Sequence, residues 1–336
     1  MKILVVGGAG YIGSHMVSAL RRADCQVVVL DDLSGGHRDA VGDARLLVGS
    51  LADRALLDRL LGDQRFDAVM HFASFIQVGE SVRAPAVYYR NNLINTLNLL
   101  DAMLAHGVKH FVFSSTAAIF GEPELTPIDE GHRSAPINPY GRSKWMVEQI
   151  LADYEKAYGL QSVCLRYFNA AGADADAGLG ERHDPETHLI PLVLQAAAGR
   201  REAISIFGSD YETPDGTCIR DYIHVMDLCD AHLLALRHLL SGKGSARYNL
   251  GNGLGYSVQQ VIDTARAVTG RDIAVRREAR RSGDPARLVA DSERARSELG
   301  WRPQRAELER IIADAWSWEQ RRHAADAVDP AVPLAA

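Results

Sequence analysis

The chain has 336 residues, 47% of them hydrophobic, with 37 basic and 43 acidic side chains and a formal net charge of -6. That supports one large two-lobed fold or two modest domains, and excludes a disordered chain, a small disulfide scaffold and a biased repeat array. The acidic balance speaks against a nucleic-acid partner, which ordinarily selects for basic excess.

The first half alternates short apolar runs with longer amphipathic ones. Ile3–Val6 reads as a buried strand, 12–22 as a helix, 26–30 as a second strand and 46–48 as a third. A helix over 54–61 precedes a strand over 68–72. A long helix is expected over 85–106, ended by Gly107, then a strand over 111–114. Another long helix over 140–158, ended by Gly159, leads to a strand over 162–166. Continuous apolar strands separated by helices predict a parallel sheet covered on both faces, hence a doubly wound, Rossmann-type α/β fold with a smaller C-terminal substrate-binding lobe. We expect a dinucleotide-binding domain over 1–168 with a returning segment at about 221–253. The lobe would comprise 169–220 and 254–325, with 326–336 as a tail that frays from about Arg322. Residues 172–187 and 208–216 read as loops.

Cys25, Cys164, Cys218 and Cys229 lack a Cys-x-x-Cys spacing and read as reduced core thiols. The twelve histidines show no metal-ligand spacing, so no metal is expected. The opening apolar run is too short for a signal peptide, and no stretch reaches about 18 apolar residues. A cytoplasmic enzyme without membrane contact is the expectation.

Gly7-Gly8-Ala9-Gly10-Tyr11-Ile12-Gly13 joins the first strand to the first helix. Gly7 and Gly10 permit tight backbone geometry and Gly13 close helix–strand packing, so a pyrophosphate can sit on the helix N-terminus. Asp31, with Asp32 beside it, ends the second strand where a carboxylate accepts from the adenosine ribose. Its charge repels a 2′-phosphate, favouring NAD over NADP. Tyr140 and Lys144 stand four apart, on one helix face. A free tyrosine has a pKa of about 10, and a neighbouring ammonium and the positive nicotinamide ring are both expected to lower it toward a working base. Thr116 lies 24 residues earlier, just past a strand, where its hydroxyl can bond the reacting oxygen.

The Gly-x-x-Gly-x-x-Gly spacing together with Tyr-x-x-x-Lys resembles the extended short-chain dehydrogenase/reductase family. More closely, the chain is similar to the UDP-glucose 4-epimerase family. The stretches that carry this are His71-Phe72-Ala73, Val78-Gly79-Glu80-Ser81, Tyr88-Tyr89-Arg90-Asn91-Asn92, Leu165-Arg166-Tyr167-Phe168-Asn169, Phe207 through Val225, Arg281-Ser282-Gly283-Asp284-Pro285 and Leu299-Gly300-Trp301. Dehydratases of the wider family carry an acidic pair directly after the hydroxyl residue. Ala117 and Ala118 stand there, so water elimination is unsupported.

The resemblance implies an NAD-dependent epimerase acting on a UDP-sugar through a 4-keto intermediate, as a homodimer. It implies a cofactor set of Gly7, Gly10, Tyr11, Ile12, Gly13, Asp31, Asp32, Ser50, Leu51, Phe72, Ala73, Asn91, Ser114, Tyr140, Lys144 and Tyr167. For the nucleotide sugar it implies Thr116, Tyr140, Asn169, His188, Leu189, Ser205, Phe207, Arg220, Arg281, Asp284 and Leu288. In that set Phe207 packs on uracil, Arg220 and Arg281 pair with the diphosphate, and Asp284 meets the ribose. Leu288 takes the place of a gate beside the sugar 2-substituent. It is intermediate between a large tyrosine and the small residues that admit N-acetylated sugars.

Ser50, Ile76 and Gly35-Gly36 depart from the family pattern, each removing a polar contact to the cofactor, so weaker NAD retention is expected. A UDP-pentose or UDP-N-acetylhexosamine 4-epimerase, or a net nucleotide-sugar dehydrogenase or reductase, remain the alternatives.

Overall fold

The computed structural model describes residues 1–281 and 284–328, with side chains to residue 322. Seven parallel strands form the main sheet. In spatial order they are Ala246–Leu250, β6 (Gln161–Tyr167), β5 (His110–Ser114), β4 (Ala68–His71), β1 (Lys2–Val6), β2 (Gln26–Asp31) and β3 (Arg45–Val48). Chain order reverses between β1 and β4, and that crevice at the carboxyl ends is where a doubly wound sheet binds its ligand. The strands are buried on both faces. Ile3, Val5, Met70, Val112 and Val163 pack on one side with α1 (Tyr11–Arg22) and the helix Val225–Leu240. Leu4, Val6, Val69, Phe111 and Phe113 pack on the other with α2 (Arg54–Asp63) and the helices Asn95–Ala105 and Pro139–Tyr158.

The long helix expected over 85–106 is interrupted. Pro85–Tyr88 is α-helical, Tyr89–Ile94 is a π turn, and the α-helix resumes over Asn95–Ala105. The cause is Asn92, buried at 1% exposure, whose amide bonds both the N–H (2.9 Å) and the carbonyl (3.0 Å) of Phe75. A wide turn in the helix lets that side chain reach the neighbouring loop, a common device beside functional sites.

A separate apolar cluster, built on Ile190, Val193, Ile204, Ile206, Val261, Ile262 and Ile311, holds the small lobe together. There Ile204–Phe207 pairs in parallel with Val275–Glu278, and Arg287–Leu288 with Ile219–Arg220. Of the tail expected to fray from about Arg322, only the backbone to Val328 is described. The last helix runs from Leu308 to Val328, as its alanines favour, and 329–336 lie outside the described residues. All four cysteines are free and buried. Among the described residues no helix is long and apolar enough to cross a membrane.

Candidate active site

Gly7 ends β1 with φ +77°. A Cβ there would stand 2.4 Å from the Ala73 nitrogen, and one on Gly13 2.0 Å from the Gly7 carbonyl oxygen. Both glycines are therefore demanded by the protein's own packing. Gly10 is different. Its φ is -77°, and a Cβ would meet nothing nearer than 3.5 Å. The space over Gly10 opens at the N-terminus of α1, which has no side-chain cap and no acidic residue in its first turn. Free N–H groups, an unfilled cradle and a favourable dipole fit a pyrophosphate.

Asp31 has a structural task beside the expected one. Its Oδ2 accepts from the Ala9 N–H at 2.9 Å and its Oδ1 from the Leu33 N–H at 2.8 Å, tying the glycine loop to the end of β2. Burial raises its pKa, and the two N–H donors work against that rise. Asp32 turns away to accept from Ser34. Gly36 lies so near Ala9 and Asp31 that a side chain there would crowd both, whereas Gly35 is open. Ser50 accepts from the Ala52 N–H, and Ile76 is exposed. Leu51 is buried beneath β2, while Phe72 stacks near His232.

The Tyr140 helix begins at the Asn138 cap, whose side chain accepts from the Gly141 N–H at 2.8 Å, with Pro139 in the first turn. Gly141 brings this helix close to the segment after β5, since a Cβ there would come within 2.5 Å of the Ala118 carbonyl oxygen. That approach sets Tyr140 against Thr116, an unread signal inside the Tyr-Gly-x-x-Lys stretch. Thr116 accepts from the Ala118 N–H at 3.1 Å, and its hydroxyl lies close enough to the Tyr140 phenol to favour the phenolate.

Lys144 is 2% exposed. Its ammonium donates to Ser74 Oγ and to the Ser114 carbonyl, each at 2.7 Å, and lies over the Phe113 ring. Burial pulls its pKa down to about 7, opposed by the nearby Glu148 carboxylate. The lowering expected of Tyr140, which counts on the nicotinamide charge as well as on Lys144, does not arise from Lys144 alone. Burial raises the phenol, only the Thr116 hydroxyl opposes the rise, and Lys144 has no part in it. The reason is that the ammonium is engaged with Ser74 and Ser114, and loses charge as it is desolvated. Ser114 Oγ in turn bonds the Tyr167 hydroxyl, and Asn91 donates to Asn92.

In the small lobe several assigned residues meet one another. Arg220 ion-pairs with Asp284 and also donates to the carbonyls of Ile219 and Pro285, so the two groups expected on diphosphate and ribose are joined. The Arg281 guanidinium stacks 3.7 Å from the centre of the Phe207 ring, occupying the face expected to meet a base. Ser205 sits half-buried on the same strand as Phe207. Asn169 donates to the Asp221 carbonyl at 3.1 Å. Leu288 packs, as Phe168 does, against the small apolar cluster of Ala117, Ile119, Phe120 and Ile128. Ser282 and Gly283 lie outside the described residues.

Two of the histidines converge with two glutamates. The segment expected to be plain loop gathers Glu181, His183, Glu186 and His188, just ahead of Leu189, which opens the helix Leu189–Ala197. The E-x-H-x-x-E-x-H spacing was the available signal. It matches no helical or finger pattern, so only the folded loop reveals it.

The NAD dependent epimerase/dehydratase family model matches residues 3–251. The chain belongs to that family. A UDP-glucose 4-epimerase of Halalkalibacterium halodurans is 53% identical over 320 residues, covering 95% of this chain and 96% of that protein. The crystal structure of UDP-glucose 4-epimerase from Brucella ovis in complex with NAD superposes with a TM-score of 0.92 at 49% identity, covering 94% and 97% of the two chains. The UDP-Glc/GlcNAc 4-epimerase from Campylobacter jejuni is 44% identical with a TM-score of 0.84, covering 95% and 99%. The doubly wound fold and the NAD cofactor read from the glycine loop are thereby established for this member of the family.

Proposed function

We infer that this protein is an NAD-dependent isomerase that interconverts UDP-glucose and UDP-galactose. The observation that carries this is the meeting of Tyr140, Thr116 and Lys144 beside the glycine loop, in a chain about half identical to UDP-glucose 4-epimerases along nearly its whole length. When bound, NAD supplies a hydride acceptor and donor for C4 of the sugar. Tyr140 takes the proton of the 4-hydroxyl and later returns it. Thr116, its oxygen already fixed by the Ala118 N–H, directs its own proton at the reacting oxygen. Lys144, which donates to Ser74 Oγ and the Ser114 carbonyl, would help to hold the cofactor. The Ala117-Ala118 pair has no proton to offer, so the 4-keto sugar is not dehydrated. It turns about its phosphate linkage while Arg220, Arg281 and Phe207 keep the nucleotide. Affinity that resides in the nucleotide leaves both sugar faces equally available.

The division of labour follows: residues 1–168 with 221–253 hold the dinucleotide, and 169–220 with 254–325 hold the nucleotide sugar. The gate formed by Leu288 is of middle size, which supports a main glucose/galactose pair with slower turnover of the N-acetylated pair. Exposed Val87 and Ile94 on the interrupted helix over 85–105 and exposed Met146 on the Tyr140 helix support a homodimer through them. We place the enzyme in the cytoplasm.

Incubation with UDP-galactose, UDP-N-acetylgalactosamine and UDP-xylose in parallel, with products resolved by NMR, tests this reading. The expected result is full 4-epimerisation of the first, slower conversion of the second, and no net NADH. Stoichiometric NADH release would make the protein a dehydrogenase instead. Equal efficiency on the first two sugars, or none on the second, would overturn the role given to Leu288.

A further inference from the structure

The segment 172–188 is fastened on both sides. Tyr11 donates to the Gly172 carbonyl at 2.7 Å, Arg22 pairs with Asp174 at 2.6 Å, and Arg182 grips the Asp39 carboxylate with two nitrogens at 2.6 and 3.0 Å. His37 Nε2 bonds the Arg182 carbonyl, and on the far side the Trp318 indole donates to the Glu181 carbonyl. These ties fold the segment so that Glu181, His183, Glu186 and His188 converge. One ligand atom from each lies within 4.8 Å of all the others.

The separations within the group are specific. His183 Nδ1 stands 3.1 Å from a Glu181 oxygen and 3.7 Å from a Glu186 oxygen. His188 Nδ1 stands 2.8 Å from Glu181 and 3.0 Å from Glu186. Four N and O ligands about 2.0–2.1 Å from a central ion define a tetrahedron whose edges are about 3.3 Å. Three of these contacts are shorter than that edge and one is longer, and the two to Glu186 use its different carboxylate oxygens, so an ion at the centre would replace the direct histidine–carboxylate contacts. The carboxylate side chains are only 7% and 6% exposed, while the imidazoles keep access at 24% and 37%. The two imidazole rings lie 5.1 Å apart, and the Tyr11 ring meets His183 edge-on at 6.2 Å, so the ligands are held in place by packing.

We propose that Glu181, His183, Glu186 and His188 form a site for a four-coordinate divalent first-row cation, with Zn²⁺ the best match. Two neutral imidazoles and two carboxylates balance the ion's charge, and nitrogen and oxygen donors in a closed tetrahedral set favour zinc over magnesium or calcium, which require more oxygen ligands. With all four positions filled by protein, the ion is structural. It ties together the segment leading into His188-Leu189, assigned here to the nucleotide sugar, whose His183 ring lies against Tyr11 of the dinucleotide loop. The rival occupant is a pair of protons, one on each imidazole, which neutralises the same two carboxylates.

The test is metal stoichiometry, independent of turnover and so of the sugar reading above. Full-length protein is stripped with chelator, re-equilibrated with micromolar Zn²⁺, desalted and analysed for bound metal. Cobalt is introduced in a parallel sample for its visible spectrum. We expect about one zinc per chain and the intense absorption of tetrahedral cobalt. The double variant Glu181→Gln/His183→Gln should bind roughly a hundredfold more weakly. Zinc that passes through desalting unbound, a weak octahedral cobalt spectrum, or unchanged affinity in the variant would each overturn the site in favour of the protonated tetrad. If the double variant does not fold, the stoichiometry and cobalt spectrum of the native chain decide alone.

Discussion

The half that carries the glycine loop and the small lobe, to which we assign the dinucleotide and the nucleotide sugar, prepare their polar groups in opposite ways. Around the glycine loop the groups are held singly and at some cost. Lys144 is buried with a depressed pKa, Asp31 is buried with a raised one, and the α1 N-terminus is left uncapped. In the lobe the charges already have protein partners: Arg220 with Asp284, Arg280 with Asp210, His188 with Glu181 and Glu186. The difference suits the two ligands. A cofactor that stays can complete a costly, preorganised site once, whereas a substrate that leaves each turnover must exchange with internal partners that otherwise satisfy the same groups.

The largest expected effect tests the first half. Tyr140→Phe should lower turnover by roughly a thousandfold, with UDP affinity, measured by calorimetry, unchanged. Near-normal turnover would remove Tyr140 as the base.

Lys144→Met comes next. The folded pKa of Lys144 lies near 7, below its ordinary value of 10.5. Between those values the unfolded chain binds the extra proton, so this group makes the protein more stable as pH rises through that window. Denaturant unfolding at both ends of the window should show a rise on the order of a few kcal/mol, and the methionine variant should lose it. An identical slope in the variant would show that burial does not depress the Lys144 pKa.

A third test probes the paired lobe. Arg220→Ala should weaken UDP binding by roughly 10- to 100-fold, a charge-assisted bond lost. Asp284→Asn should weaken it by less than about tenfold, because the same change releases Arg220 from its internal partner. Equal losses would mean that the pair does not open for the ligand.

The smallest effect concerns retention of the cofactor. Ile76→Lys should slow NAD loss on dialysis by a few-fold, on the order of one added ionic contact. Unchanged loss would mean that position 76 does not face the dinucleotide.

Legibility followed the same boundary. The strands, the helix after Gly13 and the Tyr140–Lys144 face were readable because period, spacing and glycine chemistry are local. The π turn at Tyr89–Ile94 was not, since it depends on Asn92 reaching Phe75 across a loop. Nor was the direction of the Tyr140 shift, which depends on where the Lys144 ammonium is spent.

The order of residues alone determined a parallel doubly wound sheet, a glycine loop for NAD and a tyrosine with its lysine one turn on, because backbone conformation and helical period act over a few residues. Only the tertiary structure decided that Gly141 seats Tyr140 against Thr116, that Arg220 closes on Asp284, and that two glutamates and two histidines share one pocket. Those outcomes depend on distances between segments far apart in the chain or folded back on themselves, and burial sets the charge each group then carries.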